Sequence, residues 1–425
     1  MSLTLENSTA RAKTDSPTGP EQSRHLIAML GLAYSALAAG LTANAALASL
    51  RKSVPMSETV TSLHGSFFGW GVLTLCLAPV LTRRFARSQV FVAGLFATGL
   101  GAIPFALATN VWMSLGGSAL TGFGCAALLL TIPAVVAQGF PLNRATMFSR
   151  LNAIPVTVGL SLPAALVLFD QLGWSWRIPI FVAAPLFAAL SVLVARPLIA
   201  SGHVDPVPGV HAPEPVSVIT LLRQRQVRSR FILQVLSVAL EFGFGTWVVV
   251  YLRDIGGFST GTAPIGAMAW GVGMLTVRLL TPQVQRLMGP KLETLSFAGF
   301  AAAIGVLVNV SHGIAMVLAI VLVAASVGHV YSLGVDRLYV TAADAGFYDH
   351  DSVSILAAFA SGLAIVLGPL TIGILADATD LRRAMFAPII GAMVCSTLAV
   401  RRWRGEAGQL GRITTPTPTP TPTPA

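Results

Sequence analysis

The chain has 425 residues, of which 54% are hydrophobic and 10% charged, with a mean hydropathy of +0.75; soluble domains carry roughly one quarter charged residues. Long apolar runs without a polar face at helical or strand period exclude one or more large soluble domains and place the chain in a membrane. The formal charge of +10 calls for no nucleic acid, because its cations gather at the ends of apolar runs, where anionic headgroups hold them.

In chain order, residues 1–24 are polar and contain proline, with no short apolar segment before a small-residue cleavage site. They are expected to form a disordered cytoplasmic tail, and the first apolar helix to be retained. Runs near 20 apolar residues predict about twelve spans, near 26–50, 57–82, 89–108, 111–137, 148–169, 178–195, 231–252, 262–284, 294–310, 313–335, 353–376 and 384–400. Backbone in lipid must satisfy its own hydrogen bonds, so runs of this length are helices, whereas a barrel would show shorter alternating strands. The expectation is an all-α membrane protein with twelve transmembrane helices in two pseudo-symmetric six-helix bundles, residues 25–196 and 230–402.

Between the bundles, GHVDPVPGVHAPEPVS reads as a flexible linker, and TLLRQRQVRSR as a basic segment against the membrane; together they predict a cytoplasmic central loop over 197–229. Residues 403–425 end in a Thr-Pro repeat and are expected to be disordered. The halves echo each other: HGSFFGWGVLT at 64–74 and PIGAMAWGVGMLT at 264–276 share Trp-Gly-Val at Trp70 and Trp270. With the N-terminus inside, 20 Lys and Arg fall on the cytoplasmic side and 6 on the other, which places both termini in the cytoplasm of a multi-pass protein of the cell (inner) membrane.

Cys76, Cys125 and Cys395 lie in apolar runs without a CxxC pairing or metal spacing and read as small buried hydrophobes. No HExxH, Walker A loop or histidine cluster is present, so no metal and no cofactor is expected. GFSTG at 257–261 matches GxSxG, but a nucleophile elbow needs a strand before it and a helix after it, and here it joins two spans. An enzyme is therefore not expected. With no nucleotide-binding domain, uphill transport must borrow an ion gradient or an exchanged solute.

The span count, the central loop and the basic 2–3 loop APVLTRRFAR resemble the major facilitator superfamily, together with GWSWR at 173–177 and GPLTIGILAD at 368–377. The 2–3 loop departs from the family's pattern, with Ala78 in place of glycine and Thr82 in place of aspartate, while Arg83 and Arg87 remain. Ser118 stands near the place of the fourth-helix arginine of proton-driven antiporters, and GLSLP at 159–163 reduces the fifth-helix signature of drug antiporters. The seventh span, with Glu241, Trp247 and Tyr251, is similar to the fucose permease-like branch. The resemblance implies a secondary active transporter, a monomer in the lipid bilayer, that moves a small-molecule substrate by alternating access with the proton as coupling ion. A drug or metabolite efflux antiporter of the same superfamily is the alternative, and a non-transporting receptor or a membrane enzyme stands behind both.

Glu241 lies eleven residues beyond Arg230, hence roughly 16 Å deep at about 1.5 Å per residue and near the middle of a ~30 Å core. A charge there costs at least ~2.5 kcal/mol, so a partner, a proton or a watery cavity must offset it. A proton-coupled carrier requires a carboxyl that takes up and releases a proton; the competing reading is a glutamate locked by hydrogen bonds to a neighbouring helix. Trp247 either lines the cavity or packs, and Tyr251 suits an interfacial aromatic belt. In the tenth span His329 and Tyr331 lie inside the membrane, the histidine as a relay or satisfied by a backbone carbonyl. Tyr34 and Asn44 join the candidate site, although they, like His64 and Asn152, also suit helix-to-helix glue. Gating contacts are expected from Arg83, Arg87, Asp336, Arg337 and Arg278, the last either snorkelling or joining the basic loop with Arg286 and Lys291.

Overall fold

The computed structural model describes residues 20–35, 46–47, 49–76, 84–140, 143–200, 202, 204–205, 216–259, 261–311 and 313–413. The tails over 1–19 and 414–425, most of the Pro-rich linker, Asn44 and Arg83 lie outside them, and with them the expectations placed there.

Among the described residues the regular structure is helical, without strands. The long helices are α1 (Pro20–Tyr34), α2 (Glu58–Cys76), α3 (Arg87–Ala106), α4 (Val111–Gly139), α5 (Arg144–Gln171), α6 (Arg177–Ala200), α7 (Arg225–Asp254), α8 (Ala263–Met288), α9 (Leu292–Asn309), α10 (Gly313–Asp344, interrupted between Val327 and Val330), α11 (His350–Ala378) and α12 (Phe386–Ile413). Among the described residues, eight helical runs are long and apolar enough to cross a membrane. One of them, Ala263–Asn309, takes in two expected spans, because only the turn Gly289–Lys291 separates α8 from α9.

Where caps are present, helix starts follow from side chains. Asn110 accepts the Met113 N–H in front of α4, and Asp349 accepts those of Asp351 and Ser352 in front of α11, satisfying donors that have no partner within the helix. The basic part of the expected loop is partly ordered as the short helix Val218–Arg223, with Leu221 fully buried, and α7 begins at Arg225.

Helix α2 packs on α4 and α11, α5 on α8, α7 on α11, and α8 on α10; α3 lies against α4 and α6, and α9 against α10 and α12. Glycine permits the closest of these contacts. A Cβ on Gly122 of α4 would sit 1.9 Å from the Phe68 carbonyl oxygen of α2, and one on Gly71 of α2 would sit 2.0 Å from the Ala119 carbonyl oxygen. With little hydrophobic drive between helices in lipid, such backbone approach supplies the packing.

Ionic contacts join the first and second halves of the chain at both ends of the helices. At the Arg-rich end, Arg87 meets Asp351 with its Nη2 2.8 Å from both carboxylate oxygens, and Arg144 meets Asp336 at 3.0 Å. At the opposite end Asp377, the last residue of GPLTIGILAD, accepts the backbone N–H groups of Glu58 (3.1 Å) and Thr59 (2.9 Å) and so caps α2; Arg51 pairs with Glu58 at 2.8 Å and lies 4.0 Å from Asp254.

Candidate functional site

A cavity of about 200 Å3 lies between α5, α7 and α8, with Tyr34 of α1 and Tyr331 of α10 in its lining. Its walls are largely apolar, with Leu160, Val248, Val249 and Met274 among them. Glu241 and Arg278 line it together, and Arg278 Nη2 donates to Glu241 Oε1 at 2.9 Å, the two side chains being 7% and 11% exposed for Arg278 and Glu241 respectively. The deep carboxylate has a partner of opposite charge, which offsets the cost of its burial.

The guanidinium is fixed from three directions. Besides Glu241, Nε donates to the Gly328 carbonyl at 2.8 Å and Nη1 to the Asn152 carbonyl at 3.1 Å. The α10 break at Gly328 and His329 makes the first of these possible. A Cβ on Gly328 would lie 2.6 Å from Val277 Cγ1 and 3.0 Å from Met274 Sδ, so glycine lets the interrupted helix approach α8 closely enough for its carbonyl to meet Arg278.

Arg278 thus neither snorkels nor joins the basic loop: it is buried, and its reach to the cavity rather than to the headgroups is set by three acceptors on α5, α7 and α10. The sequence carried a signal for this. Ala267, Trp270, Gly271, Met274 and Arg278 recur at spacings of three, one, three and four and line one cavity wall. Asn152, a lesser candidate that also suits helix-to-helix glue, lines the cavity, and so does Trp270, which the sequence marks only through the repeated Trp-Gly-Val. Trp247 does not line it: it is fully buried and donates from Nε1 to the Pro369 carbonyl of α11 at 3.2 Å, so it packs. Six residues turn it about 120° round the helix from Glu241. Tyr251 is fully buried too, and not in an exposed belt.

Tyr34 and Tyr331 both line the cavity. His329 stands behind the cavity, its Nε2 2.7 Å from Ser296 Oγ of α9. His64 ties α2 to α4 through Ser114 Oγ at 2.9 Å and its own turn through the Thr61 carbonyl at 3.1 Å. At the Arg-rich end buried Glu293 pairs with Arg230 at 3.1 Å and with Arg337. Ser259 of GFSTG accepts the Thr262 N–H at 3.1 Å, just before α8. No group of three or more His, Cys, Asp or Glu able to hold a metal occurs among the described residues.

Helices of membrane-crossing length around a central cavity with an acid–base pair define a polytopic membrane protein of the transporter type. The family description Major Facilitator Superfamily matches residues 28–348, and the chain belongs to that superfamily. It is similar to the sugar transport protein MST7 of Oryza sativa subsp. japonica, 27% identical over 131 residues, or 30% of this chain and 26% of that protein. It is also similar to the uncharacterized transporter y4wD of Sinorhizobium fredii (strain NBRC 101917 / NGR234), 30% identical over 174 residues, or 40% of this chain and 45% of that one. The chain therefore spans less than half the length of either of these curated relatives. In fold it matches the outward conformation of the transporter FucP at a TM-score of 0.63 and 17% identity, covering 88% of this chain and 98% of that one. A variant of the E. coli fucose:proton symporter FucP matches at 0.62 and 17%, with the same coverage.

Proposed function

We propose that the chain is a proton-coupled secondary transporter that moves a small solute across the cytoplasmic membrane by alternating access, its twelve spans forming two six-helix bundles over 25–196 and 230–402 with both termini in the cytoplasm. One observation carries the reading: Glu241, paired to Arg278, faces a cavity between helices from both halves of the chain. A site near the midplane between two repeats is where secondary transporters bind substrate and coupling ion. Superfamily membership and the fold shared with the fucose:proton symporter FucP support the same reading.

Glu241 is assigned the coupling proton, with Arg278 its counter-ion. Tyr34 and Tyr331 form the hydroxyl side of the substrate site, and His329 stands behind Arg278. Arg87 and Arg144, with Asp351 and Asp336, are assigned to the gate at the Arg-rich end, and Asp377 with the start of α2 to the opposite gate. Efflux by solute–proton antiport is the second reading, and the apolar cavity wall favours it.

The test is a solute screen by thermal shift on the purified protein, where ligand at 100 times its Kd adds about 2.7 kcal/mol of stability. A hit is followed by uptake into proteoliposomes under an imposed pH gradient. Glu241→Gln is expected to abolish accumulation while leaving exchange partly intact; accumulation unchanged in that variant refutes the proton role.

A further inference from the structure

The cavity's polar groups are fewer in effect than in name. Thr246 Oγ1 donates to the Phe242 carbonyl at 2.8 Å, Asn152 Nδ2 to the Phe148 carbonyl at 2.8 Å and Ser361 Oγ to the Ala357 carbonyl at 3.0 Å, each one turn back on its own helix. Three polar side chains of the wall therefore each direct a donor at backbone. A polyhydroxylated solute would leave several hydroxyls facing Leu160, Val248, Val249 and Met274, and each unmet buried hydrogen bond counts against binding.

Arg278 differs. Of its five N–H donors three are engaged, one from each nitrogen, which leaves one N–H on each terminal nitrogen. Two of the three acceptors are backbone carbonyls and cannot change charge. Glu241 is the third and can. When Glu241 takes a proton, the guanidinium keeps its position and its positive charge but loses its counter-ion, in a cavity with apolar walls. A planar fork of donors held by two carbonyls matches a carboxylate.

We propose that the cavity binds a small apolar monocarboxylate, its anionic end on Arg278 and its hydrocarbon part against Leu160, Val248, Val249 and Met274, and that protonation of Glu241 is what frees Arg278 to receive it. The proposal rests on the transport reading above and names the substrate class of that site. Size agrees: the volume is about 200 Å3, and a cavity of roughly 150 Å3 lined by Leu, Ile and Phe holds one benzene. The ionisable groups around Glu241 are Arg278 from α8, Tyr331 from α10 and Tyr34 from α1, with His329 beyond Arg278. Among these, Glu241 alone is a carboxyl. Proton and anion enter together, so the filled site again holds one positive and one negative charge.

The test is equilibrium binding to the purified full-length protein of benzoate, its neutral isostere benzamide, and benzylamine. Carboxyls ordinarily titrate near 4, so benzoate stays ionised from about pH 6 to about pH 8 and any pH dependence belongs to the protein. Benzoate is expected to bind more tightly than benzamide or benzylamine, and about tenfold more tightly at pH 6 than at pH 8, within the usual range of coupling between linked sites. In Glu241→Gln the affinity for benzoate is expected to match the acid-pH wild type at both pH values, and in the double variant Glu241→Gln with Arg278→Gln, which leaves no unpaired charge, to be lost. Benzamide or benzylamine binding as tightly as benzoate, or benzoate binding that is independent of pH in the wild type, overturns the proposal; these wild-type comparisons decide it even where a variant fails to fold. If no carboxylate binds while a neutral solute accumulates under a pH gradient, the substrate class falls and the transport reading stands. If benzoate binds as described but no solute crosses the membrane, the transport reading falls and the binding site stands.

Discussion

Arg278 and Glu241 are worth more as a pair than as separate charges. Removing one member of a buried pair typically costs about 3–5 kcal/mol because the other is left charged and unpaired. Glu241 has an escape that Arg278 lacks, since the carboxyl can take a proton. Arg278→Gln should therefore lower the melting temperature more at about pH 8, where Glu241 would stand charged and alone, than at about pH 5.5, where it can be neutral. A larger deficit in acid, measured by differential scanning fluorimetry, contradicts the pairing. Helical period in the sequence could have turned Trp247 away from the cavity and placed Arg278 in the stripe of Trp270, Gly271 and Met274. Nothing in the sequence shows that the Gly328 and Asn152 carbonyls converge on Arg278, because these acceptors are backbone atoms of helices 50 and 126 residues away.

Among the elements, α10 and α2 depend on single residues. Gly328→Ala would drive a methyl group towards Val277 and Met274, pushing the α10 break from α8 and withdrawing the carbonyl that holds Arg278 Nε. Overpacking of this kind costs about 1–3 kcal/mol, and the same variant should weaken ligand binding in the cavity; a melting temperature and affinity equal to wild type would show that the contact does not matter. Asp377→Ala removes the cap from α2, a loss of typically about 0.5–2 kcal/mol, measurable by thermal denaturation; no change in stability would count against the cap. The apolar runs and basic loops predict which stretches are helices, since length and hydropathy are local properties. The Pro-Leu-Thr stretch ending at Asp377 carries a recognisable motif, but its partner lies 318 residues earlier at Thr59, and no local pattern pairs them.

For the whole molecule, contacts at both ends join the two halves, so opening at one end requires breaking that end's set. The Arg87–Asp351 and Arg144–Asp336 pairs are partly exposed, and such pairs contribute about 0–1 kcal/mol each. Neutralising both with Asp351→Asn and Asp336→Asn should shift the population towards a form open at the Arg-rich end, seen as longer distances between spin labels across that end; unchanged distances would remove these pairs from the gate. The most direct measurement of the transport reading is thiol labelling of a cavity position. In a background with Cys76, Cys125 and Cys395 replaced, Thr246→Cys should react with a membrane-impermeant maleimide added to right-side-out vesicles and, separately, to inside-out vesicles, because the cavity opens to each side in turn. Reaction from one side only, or from neither, would contradict alternating access around Glu241 and Arg278.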